Sequence, residues 1–143
     1  MSVEEVKDVD DKAIAAWDNH NPSGLTDLLA ESFTFTDPNM PEPMTFREQV
    51  QAYMTAWFTA FPDMHVNTLR RVVAESEVAA ELEFTATNTG TLAFGDQEFP
   101  ATGRSVKATG TYFATIEGGK IVSISVHPDV ASLMNQLGLP AGA

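Results

Sequence analysis

The sequence predicts an α+β fold, with helices covering one face of an antiparallel sheet, and three observations lead there. The first sixty residues carry apolar side chains at helical steps, most of the stretch from 65 to 127 carries them at every second position, and the helical part comes first. Helices followed by a strand meander is the order of an α+β domain rather than of an alternating α/β one. A chain of 143 residues fits one domain, 1–143, able to bury about two-thirds of its unfolded surface. With 43% hydrophobic residues and nine phenylalanines the chain has material for a core and not the composition of a disordered segment.

Taken in order, Val6, Val9, Ala13 and Trp17 recur at three- and four-residue steps and place one apolar stripe on a helix spanning Val3 to Asn19. Asn21-Pro22-Ser23-Gly24 stops it, and Leu25, Leu28 and Leu29 suggest a short second helix. Phe33 to Asp37 alternates as a half-buried strand does. Three prolines between Pro38 and Pro43 then remove donors and forbid regular structure. Thr45 is the expected N-cap, with Glu48 at capping-box distance, of a helix carrying Phe46, Val50, Tyr53, Met54, Trp57 and Phe58 and ended by Phe61-Pro62-Asp63. Strands follow at His65 to Ala74, Val78 to Asn88, Arg104 to Glu117 and Lys120 to His127, with turns at Glu75-Ser76-Glu77 and Gly118-Gly119. The connection from Thr89 to Gly103, which contains Gly90, Gly95 and Pro100, reads as a hairpin extension or a lip over one end of the sheet. Asp129 to Leu137 forms a terminal helix closed by Gly138 and Pro140.

Strand parity shows which polar residues accompany the apolar ones inward. Asp37 shares the parity of Phe33 and Phe35; burial favours the protonated form of a carboxyl and can tune it as a general base. The alternative is that Asp37 caps the Asp-Pro-Asn turn. Asn88 continues the face of Val78, Ala80, Leu82, Phe84 and Ala86, where its amide can donate to a substrate carbonyl or satisfy a loop backbone. Tyr112 shares its face with Val106, Ala108, Ala114 and Ile116 and needs a partner for its hydroxyl. On the last strand Val122, Ile124 and Val126 form one face and Ser123, Ser125 and His127 the other. If the serine side lines a cavity, His127 is an acid or base; if it meets solvent, His127 is a surface residue. Asp129 after Pro128 is an N-cap by position. The aromatic stripe of Tyr53, Trp57 and Phe58 is chiefly core, a few members reaching a ligand.

Other chemistries are poorly supported. The chain has no cysteine, so disulfides and thiol chemistry are excluded. His20, His65 and His127 lack metal-ligand spacing, and no glycine loop precedes a helix as a phosphate cradle does. A net charge of −12 with eight scattered basic residues opposes nucleic acid and anionic lipid as partners. The acidic start from Met1 to Asp11 is unlike a signal peptide, and no stretch approaches the roughly 20 apolar residues that cross a bilayer. Cytoplasm is the expected location, and no metal or cofactor is expected.

Five segments together resemble a known family: Phe61-Pro62-Asp63, Thr87-Asn88-Thr89-Gly90, Pro100-Ala101-Thr102-Gly103-Arg104, Gly118-Gly119-Lys120-Ile121-Val122 and Gln136-Leu137-Gly138-Leu139. Their order is similar to that of the SnoaL-like polyketide cyclase branch of the nuclear-transport-factor-two-like, or ketosteroid-isomerase-like, superfamily. The resemblance implies a curved sheet wrapped around helices into a cone, a cystatin-like α+β barrel with an internal pocket. It implies intramolecular aldol cyclisation with an aspartate near the terminal helix as acid and base, a position Asp129 matches, while Asp37-Pro38 resembles the segment holding the isomerases' proton-shuttling aspartate. Asn88 falls where many members carry His. The chain departs from the pattern at Ser123-Ile124-Ser125, where many members carry Glu-His-Trp. It has Ala13 and Thr111 where an isomerase needs a tyrosine on the first helix and a buried acid on the third long strand, and it lacks the Asp-Arg-Asp set of limonene-type epoxide hydrolases.

The expected function is thus a cofactor-independent cyclase or isomerase acting on a small, apolar carbonyl compound of polyketide type. Asp129 or Asp37 serves as acid and base, Asn88, Tyr112 and His127 contact the substrate's polar atoms, and Trp57 and Phe84 line the pocket. The rival expectation is a non-catalytic binder of such a ligand, or a dimeric accessory protein. The resemblance also implies a homodimer formed through the outer sheet face.

Overall fold

The computed structural model describes residues 2–94 and 96–140; Gly95 of the expected lip lies outside the described residues. Helix α1, Val3–Asp18, starts at Ser2, whose hydroxyl accepts from the Glu5 N–H at 3.2 Å while the Glu5 carboxylate accepts from the Ser2 N–H at 3.3 Å. This reciprocal pair satisfies two donors that the first turn leaves open. Asn21 caps the short α2, Pro22–Thr26, with Pro22 at its first position. Strand β1 spans Leu29–Thr36. Helix α3 spans Arg47–Ala60 and begins one step later than Thr45 suggests: Phe46 is the N-cap, and Gln49, not Glu48, accepts from the Thr45 and Phe46 N–H groups at 2.9 and 3.0 Å. Because the helix starts one residue later, Gln49 and not Glu48 occupies the third helical position, from which the side chain turns back to both donors, and this corrects the expected cap.

Strands β2, His65–Val73, and β3, Glu77–Thr87, form a hairpin; β4, Leu92–Phe94, and β5, Gln97–Phe99, form a separate small one. Strands β6, Ser105–Glu117, and β7, Lys120–Pro128, are joined by Gly118 and Gly119 at φ 58° and 80°. That left-handed backbone is open to glycine without a steric cost. Helix α4, Val130–Leu137, closes at Gly138 in the same region, φ 73°.

The main sheet runs β1-β7-β6-β3-β2. All its pairings are antiparallel except β1 with β7, which is parallel and aligns Thr36 with Ser125. One sheet face carries Val78, Ala80, Ala86, Val106, Ala108, Tyr112, Ala114 and Ile124, all buried, so the parity reading of β3 and β6 holds. The helices lie on that face. One apolar cluster gathers α1, α3, β1 and the middle of the sheet, a second gathers the end of α3, Leu92, Val106 and α4, and Trp17 and Phe58 pack against both. The fold is thus mixed α+β, a curved sheet wrapped around helices, and the space left between them is the pocket the fold class implies.

Candidate active site in the apolar cup

Between α1, α3 and the inner sheet face lies a cavity of about 150 Å³, walled by Trp17, Trp57, Leu82, Phe84, Ile124 and Val126 among others. Trp57 and Phe84 meet edge to face at 5.8 Å, with Phe61 behind them. Both residues expected in the pocket wall are therefore there. So is Tyr112, whose hydroxyl finds its partner in a residue the sequence reading did not single out, Asp10.

Asp10 is 2% exposed and lies on the cup side of α1. The Tyr112 hydroxyl donates to its two oxygens at 2.8 and 2.9 Å, and Arg71 Nη1 donates to Oδ2 at 2.9 Å and to Asp11 Oδ1 at 2.7 Å. Burial pushes the Asp10 carboxyl above the ordinary aspartate value and outweighs the hydrogen bonds from Tyr112 and Arg71, which pull it down. The Tyr112 phenol is pushed up as well, first by burial and then by the Asp10 charge, so it stays a donor. Burial opposes the charge on Arg71, but its bonds to Asp11 and Asp10 more than offset this and hold it protonated. A sequence signal existed for Asp10: it stands four residues after Val6 and three before Ala13, squarely on the apolar stripe. The carboxyl stands on α1 and the phenol on β6.

Asp37 is buried, at 6% exposed, as its parity with Phe35 requires, and it also makes the turn that the rival reading assigned to it. Its Oδ1 accepts from the Asn39 N–H and Nδ2 at 2.9 Å each, and its Oδ2 accepts from the Tyr53 hydroxyl at 2.5 Å. The carboxylate faces a second cavity of about 500 Å³ under the proline-rich segment, and Tyr53 and Trp57 wall both cavities. Burial, then the nearby Asp37 charge, pushes the Tyr53 phenol upward and keeps it protonated.

The remaining expected site residues lie elsewhere. Asn88 is 0% exposed, and its amide is fully engaged with backbone and Thr102: Nδ2 donates to the Ala60 and Gly90 carbonyls at 3.0 Å, and Oδ1 accepts from the Thr102 N–H and hydroxyl at 2.9 and 3.0 Å. It ties the Thr89–Gly103 connection to α3 and lines neither cavity. The serine side of β7 faces outward, so His127 is exposed beside Ser125, 2.7 Å away, and Phe113. Asp129 is exposed and caps α4 through the Ser132 N–H at 3.0 Å. Its neighbour Pro128 reaches the cup wall; the Asp129 carboxylate does not. Among the described residues, no group of three or more metal-ligating side chains occurs and no helix is long and apolar enough to cross a membrane.

The model of one protein family, SnoaL-like polyketide cyclase, matches residues 7–137. Among solved structures, AclR from Streptomyces galilaeus, a candidate hydroxylase, aligns with a TM-score of 0.84 at 21% identity, covering 99% of this chain and 86% of that one. IdmH from Streptomyces antibioticus, a candidate polyketide cyclase, aligns at 0.77 and 21%, covering 93% and 98%. A Catenulispora acidiphila protein with the ketosteroid-isomerase-like fold aligns at 0.74 and 23%, covering 94% and 95%. No curated protein matches. At these identities the structures bear on the fold, which they share with this chain.

Proposed function

The chain belongs to the SnoaL-like polyketide cyclase family, and from that premise we propose that it is a cofactor-independent cyclase-type enzyme that moves a proton on a small, largely apolar carbonyl compound. The observation that carries this reading is the Asp10–Tyr112 pair, a carboxylate and a phenol in direct contact on the wall of an apolar cup. On this reading the acid-base role belongs to Asp10 rather than to Asp129, whose side chain is exposed, and Asp37 serves by holding Tyr53 in place.

Ionised Asp10 takes the acidic α-proton of the bound carbonyl compound, and the electron pair of the broken C–H bond passes to the carbonyl oxygen. Tyr112 turns its hydroxyl from Asp10 to that oxygen and stabilises the enolate. The enolate carbon then attacks a second carbonyl of the same molecule, a C–C bond forms, and the new alkoxide takes the proton back from Asp10. Atoms and charge balance with no outside reactant. Such proton transfer contributes roughly 10²–10⁴-fold, so the apolar walls must supply much of the rest by holding the two carbonyl groups together.

The test uses 2-indanone, an apolar ketone with acidic α-protons, in deuterium oxide. The expected result is enzyme-dependent α-deuteration, followed by NMR, that falls roughly 10²-fold or more in Asp10→Asn and less in Tyr112→Phe. Equal exchange in wild type and Asp10→Asn, with both variants folded by circular dichroism, rejects the assignment. Binding of the ketone with no exchange in any variant supports the rival reading, a non-catalytic binder.

A further inference from the structure

We propose that the molecule this cup accepts has two parts: a ring-sized apolar end seated in the inner cavity, and a longer uncharged or cationic end, bearing hydroxyl or amine donors, seated in the outer cavity. The inference rests on reading the cup as the reaction site and adds the shape and charge of what enters it.

Size gives the first argument. An apolar cavity of about 150 Å³ holds a molecule the size of benzene, and the inner cavity has that volume. A substrate with two carbonyl groups and a carbon chain extending beyond its ring does not fit there whole. The outer cavity, about 500 Å³, has the missing room. Tyr53 and Trp57 stand one turn apart on α3 and line both spaces, so a single layer of side chains separates them. The ligand's connecting chain, a few carbons long, must then pass beside these two side chains.

Chemistry of the walls gives the second argument. Among the described residues lining either cavity there is no Lys, Arg or His, while Asp10 lines the inner one and Asp37, Glu42 and Asp96 the outer one. Pro41 and Pro43 form part of the outer wall and have no N–H to give. The Oδ2 of Asp37 takes the Tyr53 hydroxyl and keeps capacity for a second donor. A carboxylate or phosphate placed here meets no cationic side chain, only the amide groups of Asn39 and Gln49, beside Asp37, Glu42 and Asp96 and in the field of a chain whose net charge is −12. A hydroxyl or ammonium group meets acceptors.

Four probes and one variant test this by calorimetric titration: toluene, 4-phenylbutan-1-ol, 4-phenylbutan-1-amine and 4-phenylbutanoate. The alcohol and the amine should each bind about tenfold more tightly than toluene, and the carboxylate about tenfold less tightly than the alcohol. Ala52→Phe changes an exposed helix position that lines only the outer cavity. It should abolish the advantage of the alcohol and leave toluene unchanged. Carboxylate binding as tight as that of the alcohol overturns the proposal, as does an alcohol affinity that Ala52→Phe does not alter. Toluene binding with no gain from the polar chain overturns this inference alone, whereas absence of toluene binding overturns it together with the reading of the cup.

Discussion

Asp10 is a buried acid whose ionisation is linked to folding. Its carboxyl is pushed above the ordinary aspartate value of 3.8 by burial, so the folded state holds this proton at pH values where the unfolded chain has released it. The sign follows: the contribution is fully present below 3.8 and is lost as pH rises through the elevated folded-state value. Denaturant unfolding of wild type and Asp10→Asn across this range should show their stability difference moving against wild type as pH rises, then levelling. A difference that does not vary with pH contradicts the burial argument. Parity and helical spacing made Tyr112, Trp57 and Phe84 legible as inward residues, because direction along a strand or helix is a property of local geometry. Which partners they meet was not legible. The contact between Asp10 and Tyr112 joins residues from opposite ends of the chain, and no local pattern encodes it. Asn88 was placed on the correct face of its strand, yet its amide turned out to close a loop, since a strand end presents the same parity to a loop and to a ligand.

At the scale of elements, the helices and strands followed their punctuation closely: prolines, glycines and caps bound nearly every one within a residue or two. The exceptions are α2 and β1: the short helix begins at Pro22, inside the segment expected only to stop α1, and Leu29, expected in that helix, opens a strand that starts four residues before Phe33; the start of α3 shifts by one residue, which puts Gln49 in place of Glu48 at the capping-box position. Two predictions belong here. Asp129 caps α4, so Asp129→Ala should destabilise the protein by about 0.5–2 kcal/mol and leave the 2-indanone exchange rate per folded molecule unchanged; a rate loss beyond the loss of folded protein restores Asp129 as a catalytic candidate. Gly90 lies so close to α3 that a methyl group there would run into the Thr59 carbonyl oxygen. Gly90→Ala must therefore push the Thr89–Gly103 connection away from the helix, and thermal unfolding should show a clear loss of stability. An unchanged midpoint shows that the connection moves freely against α3.

For the whole molecule, the outer sheet face is the expected place of self-association. Glu81 and Glu83 are partnered there by Arg70 and Lys107, at 3.3 and 3.6 Å, while Phe113, 56% exposed, stands on β6 in the middle of the sheet next to His127. An apolar ring within a polar surround suits an interface of modest area. Sedimentation at micromolar concentration should give a dimer that Phe113→Asp converts to monomer; a monomeric wild type contradicts the expectation. Fold class was legible at this scale because the order of helices and strands narrows the architectures available. The division of the interior into two compartments was not, since it depends on how Tyr53 and Trp57 turn once α3 has docked.

The parallel pairing of β1 with β7 has a consequence during synthesis. As the chain leaves the ribosome, β1 emerges well before β7, its one neighbouring strand in the sheet among the described residues. Until Lys120–Pro128 has emerged, the backbone of Leu29–Thr36 has a bare edge, and Phe33 and Phe35 have no finished core to enter. The nascent polypeptide must therefore wait for β7, exposed to chaperones and to other unfinished copies, and a chain stopped short of residue 120 should collect in aggregates rather than persist as a smaller native form.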